Sequence, residues 1–422
     1  MRSNCLRTFV VVLAFLGTGS VGASAADLET LATCAVSADT PTSEAAISKL
    51  RAHGPAGLEA LFTVHAAAIE KVLKEPDEMT ERASPASLRI RRALDQVSAQ
   101  RDCHASRLFW YTDLAQAEGA AKKAGKPILS LRLLGKLTDE YSCANSRFFR
   151  STLYANRKVS ELLRDRFVLH WQTERPVPVV TIDFGDGRKL IRTVAGNSVH
   201  YVLTPDGQPL DALPGLYGPQ AFIKALEQAD ELAHTAMASG SHGGRVVAEY
   251  HARQSRALLR SWQSDLSSLG VASKGEAGVP LPTEATSDLV WQRIAKLHED
   301  ECQLDLASRN LIANRNPVAA VAGRVAVTKT QTESPLVRLV RELQGTIAID
   351  TVRNEYLLHR QVHDWFVSGR VGALEALNER VYAELFLTPS SDPWLGLLPA
   401  AYSGLENDGV VMAERNESHP RD

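Results

Sequence analysis

Ser142-Cys143-Ala144-Asn145-Ser146-Arg147-Phe148-Phe149-Arg150 is the stretch on which the fold turns. It follows Ile128 to Leu134 (ILSLRLL), a mostly apolar run of strand length, across a loop from Gly135 to Ser142, and it opens a helix. A cysteine at a helix N-terminus meets the positive end of the dipole and free N–H groups, both of which favour thiolate. Arg147 and Arg150 add positive charge within two turns, and the Ser146 hydroxyl is placed to donate to the sulfur. The expected catalytic set is therefore Cys143, Ser146 and Arg147. The opposing reading is a packed thiol, or one bridged to Cys103 or Cys302.

Outward from this point, helices and strands alternate. Leu114 to Ala124 is an alanine-rich helix closed by Gly125. After the cysteine, Val159, Leu162 and Leu163 form a helical stripe and Phe167 to Trp171 a second strand. Val179 to Phe184 and Lys189 to Val194 flank Gly185-Asp186-Gly187, a hairpin signature. Val199 to Leu203 is a strand ending at the turn Thr204-Pro205-Asp206-Gly207-Gln208, and Pro209 to Leu213 pairs back. Pro219 to His234 is a helix with proline at a permitted first-turn position.

This order resembles the thioredoxin-like fold. Local phrases carry the resemblance too: Ala121 to Leu129 (AKKAGKPIL), Val159 to Leu169 (VSELLRDRFVL), Val199 to Gly207 (VHYVLTPDG), and Gly215 followed by Pro219 and Phe222. It implies an α/β fold, with a thioredoxin-like central domain over 105–237 flanked by all-helical regions at both ends. The chain departs from the family at three positions. Ser142 replaces the aromatic residue before the first cysteine, Ser146 replaces the second cysteine, and Ser198 falls where the family places a cis-proline. Without a resolving thiol at position 146, Cys143 cannot form the internal disulfide that completes a two-electron cycle and would act as a monothiol in a Cys-x-x-Ser site.

The flanks read as helix. Over 26–104, Ser43 to Leu50 leads through Gly54-Pro55 into a helix carrying Leu58, Leu61, Phe62, Ile69 and Val72, and Ser87 to Val97 is a third. Lys71 to Arg82 is charged and reads as a solvated linker. Over 245–409, helices are expected at 246–269, 287–312, 335–367 and 372–385. The stretches 238–244 and 273–286 read as linkers and 410–422 as a flexible tail.

Arg2 and Arg7, the apolar core Phe9 to Leu16 and the small-x-small motif Ala23-Ser24-Ala25 have the form of a signal peptide over 1–25. The expectation is an exported protein, periplasmic or secreted, without stable membrane insertion. The formal charge of −2 makes no case for nucleic acid as a partner. Four cysteines follow the signal, and an oxidising compartment permits a clasp between Cys34 and Cys103 at the ends of the N-terminal region.

No metal motif is complete. Glu355, His359 and His363 recur at i, i+4 and i+8, which is metal-ligand spacing, yet Arg360 and Gln361 stand where a zinc protease needs its Glu. His298 and Cys302 share the spacing inside an acidic run. No cofactor is called for. Two functions remain: a monothiol acting on a protein or small-thiol partner, or a non-catalytic scaffold that binds a protein or cofactor partner through its helical flanks.

Overall fold

The computed structural model describes residues 24–74, 84–270, 281–315, 335–398 and 404–410. The expected signal segment before Ser24, most of the charged linker after Lys71, the first part of the second linker and the tail after Val410 lie outside the described residues. Among the described residues, no helix is long and apolar enough to cross a membrane.

Four strands form one mixed sheet in the order β2-β1-β5-β6, with β1 (Ile128–Leu134), β2 (Val168–Arg175), β5 (Ser198–Leu203) and β6 (Pro209–Pro214). β1 runs parallel to β2, with Ile128 opposite Val168, and antiparallel to β5, with Ile128 opposite Leu203. β6 returns antiparallel to β5. Every residue of β1 is buried. A strand covered on both faces is expected to be apolar throughout; β1 departs from this at Ser130 and Arg132, whose buried side chains bond His170, and Glu174 and Glu375. The hairpin β3 (Val179–Asp183) and β4 (Lys189–Thr193) forms as expected, but as a separate two-stranded sheet with β3 fully exposed.

Helices cover the sheet and extend both ends. The N-terminal region holds α1 (Ala25–Ala35), α2 (Thr40–Ala52), α3 (Pro55–Val64), α4 (Ala66–Lys74), α5 (Pro85–Ser98) and α6 (Cys103–Ser106). α1 begins inside the expected cleavage motif, with Ser24 and Asp27 forming a capping box. The long helix expected from Leu58 to Val72 divides at His65 into α3 and α4; the His65 ring bonds the Ala32 carbonyl of α1 at 2.9 Å. The central region adds α7 (Leu114–Ala124), α8 (Ala144–Phe148), α9 (Arg157–Arg166) and α10 (Pro219–Ala238). Gly125 closes α7 in the left-handed conformation, φ +65°.

The stretch 238–244 is a tight turn rather than a linker, for α11 (Gly243–Ser268) packs back against α10. Gly243 permits the approach, because a Cβ there would stand 2.8 Å from the Ala236 carbonyl oxygen. The helix expected over 287–312 is two, α12 (Asp288–Leu297) and α13 (Leu306–Arg315), joined by a 3-10 turn from Glu299 to Cys302. His298 breaks it by turning its ring to Asp265 at 2.9 Å and Glu301 at 3.2 Å. α14 (Pro335–Arg353) passes through a π-helical segment, Asn354–His359, into α15 (Arg360–Val367), and α16 (Leu374–Arg380) follows.

Among the described residues the apolar interior has two clusters. One is built from the N-terminal helices and includes Leu50, Leu61, Leu94 and Cys103. The other joins the sheet to the C-terminal helices in a single core, from Trp110 through Leu131 and Phe222 to Trp291, Tyr356 and Val381. The molecule is thus a mixed α/β protein with a small sheet and helical flanks, and the C-terminal flank shares the core of the sheet.

Candidate functional site

Cys143 stands as the cap residue of α8, at the loop-to-helix junction after β1. Its Sγ accepts the Ser146 N–H at 3.4 Å, and its own N–H reaches the Leu134 carbonyl at 3.4 Å. The sulfur is completely buried. Burial pushes the thiol up from its ordinary range, and the N–H groups of the helix start, with Arg147, oppose this without reversing it.

The other members of the expected set turn elsewhere. The Ser146 hydroxyl is buried without a hydrogen-bond partner, so only the backbone at this position serves the sulfur. Arg147 donates to the Ser142 carbonyl and the Thr193 hydroxyl, clamping the loop to the β3–β4 hairpin. Arg150 is buried and donates to Asp102 at 2.7 Å and to the Glu140 carbonyl at 3.1 Å. Ser198 does lie beside the cysteine helix, for its hydroxyl accepts from Asn145 Nδ2 at 2.9 Å.

The C-terminal region closes over this end of the sheet. Asn197 Nδ2 donates to Thr388 Oγ1 at 2.8 Å, and Arg175 donates to the carbonyls of Thr388 at 2.7 Å and Asp392 at 2.6 Å. α16 is anchored below, through Asn378 to Tyr201 and Glu174 and through Glu375 to Arg132. Burial pushes the Tyr382 phenol up, and nearby Glu174 and Cys143 add to it.

The expected Cys34–Cys103 bridge is not formed; Cys34, Cys103, Cys143 and Cys302 are all free thiols. Cys34 and Cys103 border one apolar cluster, but Cys103 is fully buried with Sγ turned to the Leu108 carbonyl at 3.8 Å. Burial pushes the Cys103 thiol up, and pushes Cys302, packed against Thr351, up to about 12. His298 and Cys302 face separate partners and do not form a ligand pair.

A second polar centre lies where β6 meets α11, the π-helical segment and α15. His359 Nε2 bonds Asp211 Oδ1 at 3.0 Å, and Asp211 Oδ1 also accepts the Ala212 N–H at 2.8 Å. His363 Nδ1 meets His251 Nδ1 at 2.7 Å, and His251 Nε2 reaches the Leu210 carbonyl at 2.9 Å. All four side chains are buried. The ring centres of His359 and His363 lie 4.1 Å apart with the planes tilted by 37°, Tyr217 meets His359 edge-on at 6.5 Å, and Phe366 stacks on His251 at 3.9 Å. Burial pushes the Asp211 carboxyl up, but opposing effects led by His359, its hydrogen-bond partner, hold it below its ordinary range. Burial pushes His251 and His363 down, toward neutral imidazole.

A cavity of about 180 Å³ adjoins this centre, lined by Lys224, Tyr250, His298, Glu301, Glu355, His359 and His363 among others. Sequence spacing foresaw His359, His363 and Glu355. Glu355 lines the cavity, its carboxyl pushed up to about 6 by burial and by Glu301, but it stands outside the Asp211–His359–His363 group. Asp211 and His251 were not foreseen. They lie 148 and 112 positions from their histidine partners, on a strand and a helix that give no local signal.

No protein-family model, curated protein or solved structure matches the chain.

Proposed function

We propose that this chain is an exported, thioredoxin-like scaffold that acts by binding, its former thiol site closed over by its own C-terminal region. Support for the thioredoxin-like part is the element order: α7, β1, loop-Cys143-α8, β2, hairpin, β5, turn, β6 and α10 follow one another as the resemblance expects. Also in its support, the Ser198 hydroxyl accepts from Asn145, the residue before Ser146.

The observation that carries the binding reading is the complete burial of Cys143. A nucleophilic thiol needs both access and thiolate character, and burial removes the first while raising the pKa works against the second. The serine at position 146 supplies no resolving sulfur. A concave surface remains open on the opposite flank: a cavity of about 510 Å³ walled by Leu58, Phe109, Lys123, Arg164, Phe167 and Leu169 among others.

The test is alkylation of the native protein with iodoacetamide at pH 8, read by mass spectrometry site by site, with a denatured control. The expected result is an unmodified Cys143 in the native chain and full modification after unfolding. Stoichiometric native labelling of Cys143 would instead support the monothiol reading.

A further inference from the structure

We propose that Asp211, His359 and His363 bind one divalent first-row transition ion, with an open coordination position toward the adjoining cavity. This goes beyond the scaffold reading and stands whether or not Cys143 is reactive.

Geometry makes the first argument. One donor atom from each residue lies within 4.8 Å of the other two. Three donors bonded to one ion at about 2.0–2.2 Å stand about 3.3–3.8 Å from one another, so closure on an ion draws these side chains together by up to about 1–1.5 Å. Two imidazoles and one carboxylate suit borderline divalent ions, and three protein ligands leave a position free.

The second argument is an unmet bond. Asp211 Oδ2 is buried without a hydrogen-bond partner, although Oδ1 has two. An unpaired carboxylate oxygen in an apolar interior is costly, and pairing with His359 leaves it unpaired. A cation between the three side chains gives that oxygen its partner.

The third argument is the proton order around His363. The Leu210 carbonyl can only accept, so His251 carries its proton on Nε2 and offers a lone pair at Nδ1. His363 must then donate from Nδ1, which leaves its Nε2 lone pair available. A ligand histidine whose far N–H is held by a fixed acceptor is the arrangement that orients imidazole toward a metal. His251 is therefore a positioning residue. A π-helical segment ends at His359, one turn before His363, and such segments recur at functional sites. Both histidines line the cavity, which supplies the entry path.

The test uses the full-length protein, stripped with EDTA and titrated with Zn²⁺ or Co²⁺. The expected result is one ion per chain, a visible Co²⁺ absorption band of a low-coordinate site, and a rise in Tm with Zn²⁺. Asp211→Asn, His359→Gln and His363→Gln should each abolish stoichiometric binding, with circular dichroism reporting the fold. His251→Gln, which removes no ligand, should weaken binding by about 10–100-fold. An independent readout on the unaltered protein is NMR of the Co²⁺ form, where ring protons of two histidines should be paramagnetically shifted. Absence of a stoichiometric ion, binding that the three ligand variants leave unchanged, or a Co²⁺ form without two shifted histidines would each overturn the site.

Discussion

Asp102 and Arg150 meet at 2.7 Å with both side chains buried, although 48 positions separate them in the chain. Arg315 of α13 closes on the same carboxylate with two contacts of 2.7 Å. The carboxylate thus ties three segments together: the start of α6, the turn after the Cys143 helix, and the C-terminal flank. Removing it takes the nearest anion from two guanidinium groups and leaves them the longer Glu140 contacts at 3.4 and 3.7 Å, so Asp102→Ala should destabilise the protein by about 3–5 kcal/mol. Urea unfolding followed by circular dichroism measures this, and a loss under about 1 kcal/mol, the scale of an exposed pair, would count against the node.

The same carboxyl sets an acid limit. Burial pushes Asp102 up, but Arg315 and Arg150 outweigh it and hold the group down at about 2. A depressed folded pKa contributes stability above the ordinary carboxyl range of about 3.9, lost as pH falls through the folded value. Wild-type stability should therefore decline between about pH 4 and pH 2. Asp102→Asn should flatten that part of a Tm-against-pH curve.

His298 sets the opposite dependence. Hydrogen bonds to Asp265 and Glu301 raise it to about 10, against a smaller opposing effect of burial, and Tyr356 donates to the same Asp265 at 2.6 Å. A raised folded pKa contributes stability that is full below the ordinary value of about 6.5 and is lost as pH rises through the folded one. Thermal melts from pH 6 to pH 10 should show this decline. His298→Gln should remove most of it, and an unchanged slope in that variant would refute the assignment.

The segment proposed to close over Cys143 is held by Arg175, whose guanidinium donates to the Thr388 and Asp392 carbonyls. A hydrogen bond from a charged donor is worth about 1.5–3 kcal/mol. Arg175→Ala should therefore raise the native alkylation rate of Cys143 by about tenfold or more. Equal rates in the two proteins would show that this segment does not guard the thiol.

Gly57 places α3 against the end of α2, since a Cβ there would stand 2.0 Å from the Leu50 carbonyl oxygen. The obstacle is backbone, so a rotamer change gives no relief. Gly57→Ala should cost about 1–3 kcal/mol, whereas Gly119→Ala, with open space around it, should be neutral or stabilising within about 1 kcal/mol. Paired denaturation curves decide this.

Much of the architecture was legible from local pattern. β1, α7 and the β3–β4 hairpin fall where apolar runs, Gly125 and Gly185-Asp186-Gly187 place them, because those signals act over a few residues. The breaks at His65 and His298 were not legible, since each histidine leaves its helical pattern to reach a partner from another helix. The tight turn at 238–244 looked like a linker because small residues serve close helix packing as well as solvated chain.

The sites divide along the same line. Composition and spacing by themselves determined that Cys143 begins a helix after a buried strand, that no second thiol follows at position 146, and that His359 and His363 share a helical face. Tertiary structure alone decided that the sulfur is sealed, that Ser146 leaves it to the backbone, and that Asp211 and His251 complete the histidine centre. The physical reason is range. Helix starts, strands and spacings follow from neighbours in the chain, whereas burial, ion pairing and ligand sets depend on which distant surfaces the core brings together.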